Sequence, residues 1–329
     1  MARKRILVLY NESPALIKGE PRDMLAEQGV IACARVVAAA LAHRYEVRRV
    51  PIHADVETAL AGYPPTEWAV FNLGEGMQGR LFEEARIAWA LEAMGYRLTG
   101  SHGSALARSI HKAHAKRLFE HSGIPTPPWH LYRDVAEVED GLGFPVIAKP
   151  VAEDASLGIG PEAVVHDVAA LRARVAHITT CYRQAALVER FITGREFNVS
   201  LWGDPPELLP LAEIDFRDFR DPYEQIVSFA AKWEPSSFEY SHTPVLCPAD
   251  VSPLLGQRIR AAALAAWRAI GCRGYARVDM RVDAAEQPYV VEVNCNPDLS
   301  PEAGFFQAVR TTGLDYDEMV WRIAGLPLG

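Results

Sequence analysis

Asp279, Glu292 and Asn294 carry the oxygen-bearing side chains that a divalent cation prefers, and they belong to two neighbouring segments of alternating polarity. Residues 275–283 and 288–294 both place an apolar side chain at every second position, and a four-residue stretch separates them. Such alternation predicts a β-hairpin in which every second side chain shares a face. A four-residue loop then places Asp279 opposite Glu292.

The same register places Arg277 opposite Asn294 on the face that carries the two carboxylates. Directly opposed carboxylates lie about 5 Å apart at their Cβ atoms and repel each other unless a cation lies between them. Magnesium fits, since it takes oxygen ligands and completes its shell with water or phosphate. A solvated face of alternating charge is the competing interpretation. The opposite face is expected to fill the core with five side chains: Val278, Met280, Val282, Val291 and Val293.

A lysine at the end of a strand is a second chemical feature. Lys149 follows the apolar run 144–148 and precedes Pro150, which keeps its backbone extended and directs its ammonium away from the strand end. Residues 187–196 then offer a strand, a short linking segment and the acidic Glu196. This arrangement is a plausible edge for the adenine and ribose of a nucleotide.

The elements that must position these residues follow from periodicity. The N-terminal third alternates short apolar runs with helix-length segments, which predicts an α/β unit with strands at 6–10, 47–51 and 68–72 and helices at 29–42 and 81–94. A long helix at 104–122 ends at the breaker cluster 123–128. After it, the patterns predict strands at 144–148, 186–189, 196–202 and 208–216, and a helix at 167–177.

Composition limits the class of protein. The 329 residues include 42 acidic and 34 basic side chains, so the net charge of -8 favours neither nucleic acid nor anionic lipid as a partner. The five cysteines are odd in number and contain no C-x-x-C pair, which favours reduced thiols in the cytoplasm. The apolar run after Met1 is too short for a secretory signal, and no stretch approaches the roughly 20 apolar residues of a membrane span.

Taken in order, these segments resemble the ATP-grasp superfamily, and specifically the D-alanine–D-alanine ligase family. The resemblance covers nearly the whole chain and rests on several motifs in order: residues 98–101, Lys112 with Lys116, 144–150, 187–191, 194–197, 230–232, 276–279, 292–294 and 312–316. It implies an α/β fold whose C-terminal half is α+β. The expected domains are an N-terminal parallel lobe (1–103), a small central lobe (104–187) and a C-terminal antiparallel lobe (188–329), with ATP between the last two.

The resemblance also implies site residues and cofactors, namely ATP with two magnesium ions, for which manganese is a candidate substitute. ATP phosphates or the adenine edge would be contacted by Lys112, Lys149 and Lys232. Adenine would be held by Glu189 and the backbone of Phe191 and Ile192, and the ribose by Glu196. The metal ligands would be Asp279, Glu292 and Asn294, while Arg277 would face the oxyanion. The candidate loop 153–160 would cover phosphate through Ser156 and the amides of Leu157 and Gly158, and Glu27 would contact an amine.

The departures from the family pattern cluster at the substrate end. Asp154 and Ala155 stand where the family has a glycine and a serine, and Trp233, directly after Lys232, stands where it has a tyrosine. Asp298 replaces a glycine, and Ala303 or a neighbour replaces the serine that receives the second amino acid's carboxylate.

The sequence therefore predicts a carboxylate–amine ligase acting on amino-acid-like small molecules other than two D-alanines, through an acyl-phosphate. The alternatives are D-alanine–D-alanine ligase itself, a non-catalytic ATP-binding regulatory protein, and a carboxylase or kinase-like ATP-grasp member. The oligomeric state is left open, and a homodimer is one arrangement.

Overall fold

The N-terminal part of the chain forms a parallel sheet flanked by helices. The computed structural model describes residues 4–12, 16–76, 82–139 and 141–327. The strands are β1 (Arg5–Asn11), β2 (Glu46–Ile52) and β3 (Trp68–Leu73), and the helices are α1 (Met24–Ala42), α2 (Val56–Leu60), α3 (Glu83–Ala93) and α4 (Gly103–Ile110). Both neighbours of the central β1 run parallel to it, which confirms the predicted α/β unit. Leu81, the predicted start of α3, lies outside the described residues.

Helix α1 begins five residues earlier than predicted and continues a short 3-10 turn, Pro21–Asp23. An 18-residue stretch of the combined helix Pro21–Ala42 has a mean hydropathy of 1.6, and by length and composition this helix could span a membrane. The expectation that no stretch approaches such a length is therefore wrong. By length and composition a core helix passes the same test, and Val30, Ala34, Val37 and Leu41 of α1 are buried in the protein interior.

The central part is a four-stranded antiparallel sheet covered by a helix. Its helices are α5 (Lys112–His121) and α6 (Val168–Cys181), and its strands are β4 (Trp129–Tyr132), β5 (Val146–Pro150), β6 (Val164–Val165) and β7 (Ala186–Arg190). The strand order is β4–β7–β5–β6. The predicted domain boundaries at 103 and 187 stay predictions; β7 crosses residue 187.

The predicted single helix at 104–122 is wrong, because the chain breaks between α4 and α5. His111 has a ψ of 91°, which is extended rather than helical, and its ring accepts a hydrogen bond from the His114 N–H. The amide of Lys112 donates to Val151 O instead of continuing a helix (2.8 Å). Lys112 thus becomes the first residue of a new helix beside the segment that follows β5.

The C-terminal part is a larger antiparallel sheet. Its strands are β8 (Arg195–Trp202), β9 (Glu207–Leu208), β10 (Ala212–Ile214), β11 (Val245–Leu246), β12 (Tyr275–Val282) and β13 (Pro288–Asn294), and its helices are α7 (Phe229–Trp233), α8 (Phe238–Ser241), α9 (Pro253–Ile270), α10 (Gly304–Arg310) and α11 (Tyr316–Gly325). The order is β11–β10–β8–β12–β13, with β9 on β8. The single strand predicted at 208–216 is wrong, since Pro210 lies between β9 and β10 and cannot donate to a ladder.

The hairpin of β12 and β13 has the predicted register at its functional end. Asp279 pairs with Glu292 and Arg277 with Asn294, and the register shifts between Asp279 and Met280, where Met280 pairs with Val290. This bulge leaves Val291 as an extra residue. Val291 therefore lines a cleft, and Val290 fills the core in its place, so the prediction that Val291 is a core residue is wrong.

Candidate functional site

A cleft of about 780 Å³ lies between the central and C-terminal sheets, with α1 on a third side. Its volume falls in the range of small-molecule sites. Most of the residues proposed from the sequence line it: Glu27, Lys149, Ser156, Leu157, Glu189, Phe191, Ile192, Glu196, Lys232, Arg277, Asp279, Glu292 and Asn294. Lys112 and Gly158 lie behind this lining, and Lys112 reaches the site through Glu292.

The two facing carboxylates of the hairpin are each held by a cation. The Arg277 guanidinium donates two hydrogen bonds of 2.7 Å, one to each oxygen of Asp279, and Asn198 donates to Oδ1 of Asp279 at 2.8 Å. Lys112 Nζ lies 3.1 Å from Oε2 of Glu292 and also 3.1 Å from Oδ1 of Asp154. Each carboxylate thus has its own positive partner, which is the arrangement that two such close charges require.

These pairings shift the pKa values of the groups. Burial alone would raise the pKa of Glu292, but Lys112, Lys149 and Lys232 outweigh it and lower that pKa. Burial alone would lower the pKa of Lys112, yet Glu292 and Asp154 raise it. The pKa of Arg277 is likewise raised by Asp279 in spite of burial. Glu292 is therefore an anion, and Lys112 a cation, at neutral pH.

The donor set of the hairpin fits a magnesium ion. Asp279 and Glu292 offer carboxylate oxygens and Asn294 an amide oxygen, all on one face of two paired strands. Within the described ranges no group of three or more histidine, cysteine, aspartate or glutamate side chains is arranged around a metal position. The fit accordingly rests on two carboxylates and an amide, with room in the cleft for phosphate oxygens to complete the shell.

A row of buried, charged side chains lies at the other side of the cleft. Glu189 is 1% exposed and pairs with Lys149 Nζ at 2.5 Å through one oxygen and with Lys116 through the other. Burial would raise the pKa of Glu189, but the two lysines together lower it. Lys116 is wholly buried and donates to Thr126 Oγ1, which in turn donates to Val290 O in the hairpin. The lysine that faces the cleft, Lys149, is thus oriented by Glu189.

The strand-end segment proposed for adenine and ribose is organised by Arg281. Its guanidinium donates to Ile192 O at 3.0 Å, to Glu196 Oε2 at 2.9 Å and to Gln225 O at 2.7 Å. The ring of Phe191 lies beneath the same guanidinium, 5.3 Å from its carbon. Burial raises the pKa of Glu196 although Arg281 opposes the shift.

The loop at 153–160 covers the cleft and is held at several points. Ser156 Oγ donates to Val227 O at 2.8 Å, and the Leu157 amide donates within the loop to Asp154 O at 3.0 Å. Gly158 has a φ of 68°, and a Cβ there would lie 2.9 Å from the Tyr182 ring. Only glycine fits this position without strain.

Lys232 differs from the other cations of the cleft. Among the described residues it forms no ion pair, whereas Lys112, Lys149, Arg277 and Arg281 each have a carboxylate partner. Burial, followed by repulsion from Arg277, lowers the pKa of Lys232. A negatively charged group of a ligand can supply the ionic partner that Lys232 lacks among the described residues.

The opposite end of the cleft is acidic. Asn11 donates to Glu27 at 2.8 Å and accepts a hydrogen bond from the Glu75 amide at 3.0 Å, so one buried side chain positions both. Loss of surrounding water in the cleft, with Asp298, Asp154 and Glu27 nearby, raises the pKa of the Glu75 carboxyl to about 8, although the residue as a whole is exposed. Asp298 lines the same space and accepts hydrogen bonds from the amide and hydroxyl of Ser300, both at 2.8 Å.

The sequence-based predictions assigned no site role to three positioning residues: Asn198, Arg281 and Lys116, which was named only as part of the motif with Lys112. Arg281 continues the alternation of Arg277 and Asp279 along β12, and this spacing was a usable signal. Asn198 pairs with Asp279 across β8 and β12, a partnership that no local pattern indicates. The five cysteines are free, yet Cys272 and Cys295 lie in contact, with 3.4 Å between their sulfur atoms.

Sequence comparison relates the chain to D-alanine–D-alanine ligases. The family model described as D-ala D-ala ligase C-terminus matches residues 118–324. The protein y4sG of Sinorhizobium fredii, named as uncharacterized, is 36% identical over 256 residues, which are 78% of this chain and 73% of that protein. The D-alanine–D-alanine ligase of Nitrosomonas europaea is 32% identical over 256 residues, or 76% of this chain and 77% of that enzyme.

The fold has a solved counterpart. The crystal structure of D-alanine–D-alanine ligase from Bacillus anthracis complexed with ATP superposes with a TM-score of 0.73 at 22% identity and covers 99% of this chain and 97% of that one. This likeness confirms the ATP-grasp fold expected from the sequence motifs. The family-model and sequence matches show that the chain belongs to the D-alanine–D-alanine ligase family of ATP-grasp, ATP-dependent C–N ligases.

Proposed function

We propose that the chain joins a carboxylate to an amine through an acyl-phosphate and releases ADP and phosphate. The observation that supports this most directly is Lys232, a half-buried cation without an ion pair among the described residues, in the same cleft as the oxygen ligands of the hairpin. An ATP phosphate would supply the missing negative charge. Lys149 at the strand end and the covering loop give the same cleft two further contacts for a nucleotide.

The proposed reaction has two steps. A carboxylate oxygen of the first substrate attacks the γ-phosphorus, and the bond to ADP breaks, which leaves an acyl-phosphate. The amine nitrogen of the second substrate then attacks the acyl carbon, phosphate leaves with the bonding electron pair, and the nitrogen loses a proton. Positioning and charge neutralisation dominate such chemistry.

Within this scheme each side chain has a defined task. Asp279, Glu292 and Asn294 would hold magnesium, which supplies charge neutralisation at the phosphates when bound. Two ions, and manganese as a substitute, belong to the same proposal. Lys149 and Lys232 would bind phosphate oxygens, while Glu189 and Glu196, with the backbone of Phe191 and Ile192, would hold the nucleoside. Arg277 would stabilise the oxyanion, and Ser156 with the amides of Leu157 and Gly158 would cover phosphate.

We further propose that the substrates are amino-acid-like molecules other than two D-alanines. Asp298 projects a carboxylate into the cleft near Glu75 and Glu27, where the resemblance implies that the second substrate's carboxylate is received. A negative side chain repels a substrate carboxylate. Glu27, held by Asn11, remains a candidate contact for the incoming amine.

The test is a screen for ADP release over pairs of amino acids, small carboxylates and amines, with mass spectrometry of the products. We expect ADP release with at least one pair other than two D-alanines, and a product mass equal to the two substrates minus water. Efficient ligation of two D-alanines as the preferred pair would contradict the substrate proposal. ATP binding without turnover across the whole panel would favour a regulatory ATP-binding protein instead.

The same screen also distinguishes a ligase from the remaining alternative class of enzyme. A carboxylase or kinase-like member of the superfamily would release ADP without forming an amide, so a phosphorylated or carboxylated product would overturn the proposal. A cytoplasmic location, small molecules as the binding partners and an oligomeric state that includes the homodimer stay predictions from the sequence.

A further inference from the structure

Trp233, in the C-terminal part of the chain, contacts both the central and the N-terminal parts at one point of the cleft. It is the last residue of α7 and directly follows Lys232. Its indole Nε1 donates a 2.9 Å hydrogen bond to Ala155 O in the loop of the central lobe. The far edge of its ring lies against Gly29 of α1 in the N-terminal lobe.

The covering loop has a backbone that needs outside support. Ala155 and Ser156 have φ values of 54° and 59°, so two consecutive residues with side chains adopt the left-handed conformation. Such conformations persist only where surrounding structure holds them. The supports from the C-terminal lobe are Trp233, which binds the carbonyl of Ala155, and Val227, whose carbonyl accepts from Ser156.

Gly29 makes room for the tryptophan ring. A Cβ atom built on Gly29 would lie 2.6 Å from Cζ3 and 2.9 Å from Cη2 of Trp233, distances that real Cβ atoms essentially never show. Gly29 has no left-handed backbone that would call for glycine, so the close approach of the ring is the reason that glycine fits here. Any larger residue would push the indole away from Ala155.

We propose that Trp233 is a positioning residue that holds the loop 153–160 closed over the cleft. In this proposal Gly29, which has no Cβ, leaves the space that the Trp233 ring occupies. The inference rests on the proposed function in one respect, since the closed loop would keep water from an acyl-phosphate. Ala155 has no side chain able to hold the loop by itself. The indole N–H of Trp233 instead binds the backbone carbonyl of Ala155 in the loop.

Limited digestion with a glutamate-specific protease tests the proposal without any substrate. Glu153 lies in the loop and is largely buried, while the exposed Glu286 in the β12–β13 hairpin serves as an internal reference. Trp233→Phe removes the N–H and keeps a ring, and Gly29→Ala displaces the ring. Matched controls are Trp321→Phe, which removes an indole hydrogen bond to Ala40 O, and Gly62→Ala, where a Cβ meets nothing within 4 Å.

We expect Trp233→Phe to speed cleavage after Glu153 about fivefold, the effect of losing one net hydrogen bond. Gly29→Ala should give at least the same increase, while cleavage after Glu286 and the melting temperature stay near the values of the unchanged protein. Equal Glu153 cleavage in Trp233→Phe and Trp321→Phe would overturn the proposal. Should Gly29→Ala fail to fold, Trp233→Phe alone decides.

The proposed function and this inference fail separately. Faster Glu153 cleavage in a protein that releases ADP with no substrate pair would support the role of Trp233 and reject the ligase. Normal ADP release together with unchanged cleavage in Trp233→Phe would support the ligase and reject the role of Trp233.

Discussion

The Nζ atom of Lys112 lies 3.1 Å from Oε2 of Glu292, and this contact joins the first residue of α5 to the middle of β13. It exists because the chain breaks its helix at His111 and restarts at Lys112. The consequence is that a lysine expected to contact ATP already neutralises a carboxylate expected to bind metal. Nucleotide and metal would therefore enter a site where Lys112 and Glu292 are already paired, while Lys232 forms no ion pair among the described residues.

Removal of a charged metal ligand should abolish most activity. Asp279→Asn keeps the shape of the side chain but removes a negative charge, and we expect ADP release to fall by about a hundredfold or more. Asp283→Asn, in the loop of the same hairpin, is the matched control and should stay near the original rate. Near-normal turnover of Asp279→Asn would reject the metal assignment.

Loss of a fully buried lysine should cost stability. Lys116→Met leaves Glu189 with a single cationic partner, and breaking a buried pair in this way costs about 3 kcal/mol. Urea unfolding followed by circular dichroism measures the change. Arg217→Met is the control, since its guanidinium is exposed and the pair that it forms with Asp215 is worth about 1 kcal/mol or less. Equal urea midpoints for the two variants would show that the buried pair of Lys116 and Glu189 contributes little to stability.

Acidic conditions should favour the protonated form of Glu75. Its pKa rises from 4.5 to about 8 in the folded protein, so the folded state binds the proton more tightly than the unfolded state. The resulting stabilisation is complete below about pH 4.5 and is lost as the pH rises through about 8. Glu75→Gln cannot lose a proton. As the pH rises from 5 to 8, the melting temperature of this variant should therefore increase relative to that of the unchanged protein. Parallel melting curves at every pH would contradict this.

Magnesium should be needed for tight binding of the nucleotide. We expect MgADP at a hundred times its dissociation constant to add about 2.7 kcal/mol of stability, measured as a rise in melting temperature. Chelation of the metal with EDTA should remove most of the rise, because Asp279 and Glu292 would then face the phosphates without a cation between them. An unchanged rise in EDTA would mean that the lysines alone bind the nucleotide.

Local periodicity determined much of the fold and the centre of the site. Alternation along residues 275–294 predicted the hairpin and the facing of Asp279 and Glu292, since side chains on paired strands follow a period of two. The same logic failed at Val291, where a bulge changes the face, and at His111, where one extended residue divides a helix. Both are single-residue departures from a repeating pattern, and neither has a strong local signal.

The sequence by itself therefore determined the strands of five residues or more, the order of the family motifs and the candidate set of oxygen ligands. Only the tertiary structure decided which charges meet: Lys112 with Glu292, Lys116 with Glu189, Arg281 with Glu196. It also decided that Trp233 binds Ala155 and packs on Gly29. The physical reason is that these contacts join segments distant in sequence, and their geometry depends on how three sheets and their helices pack together.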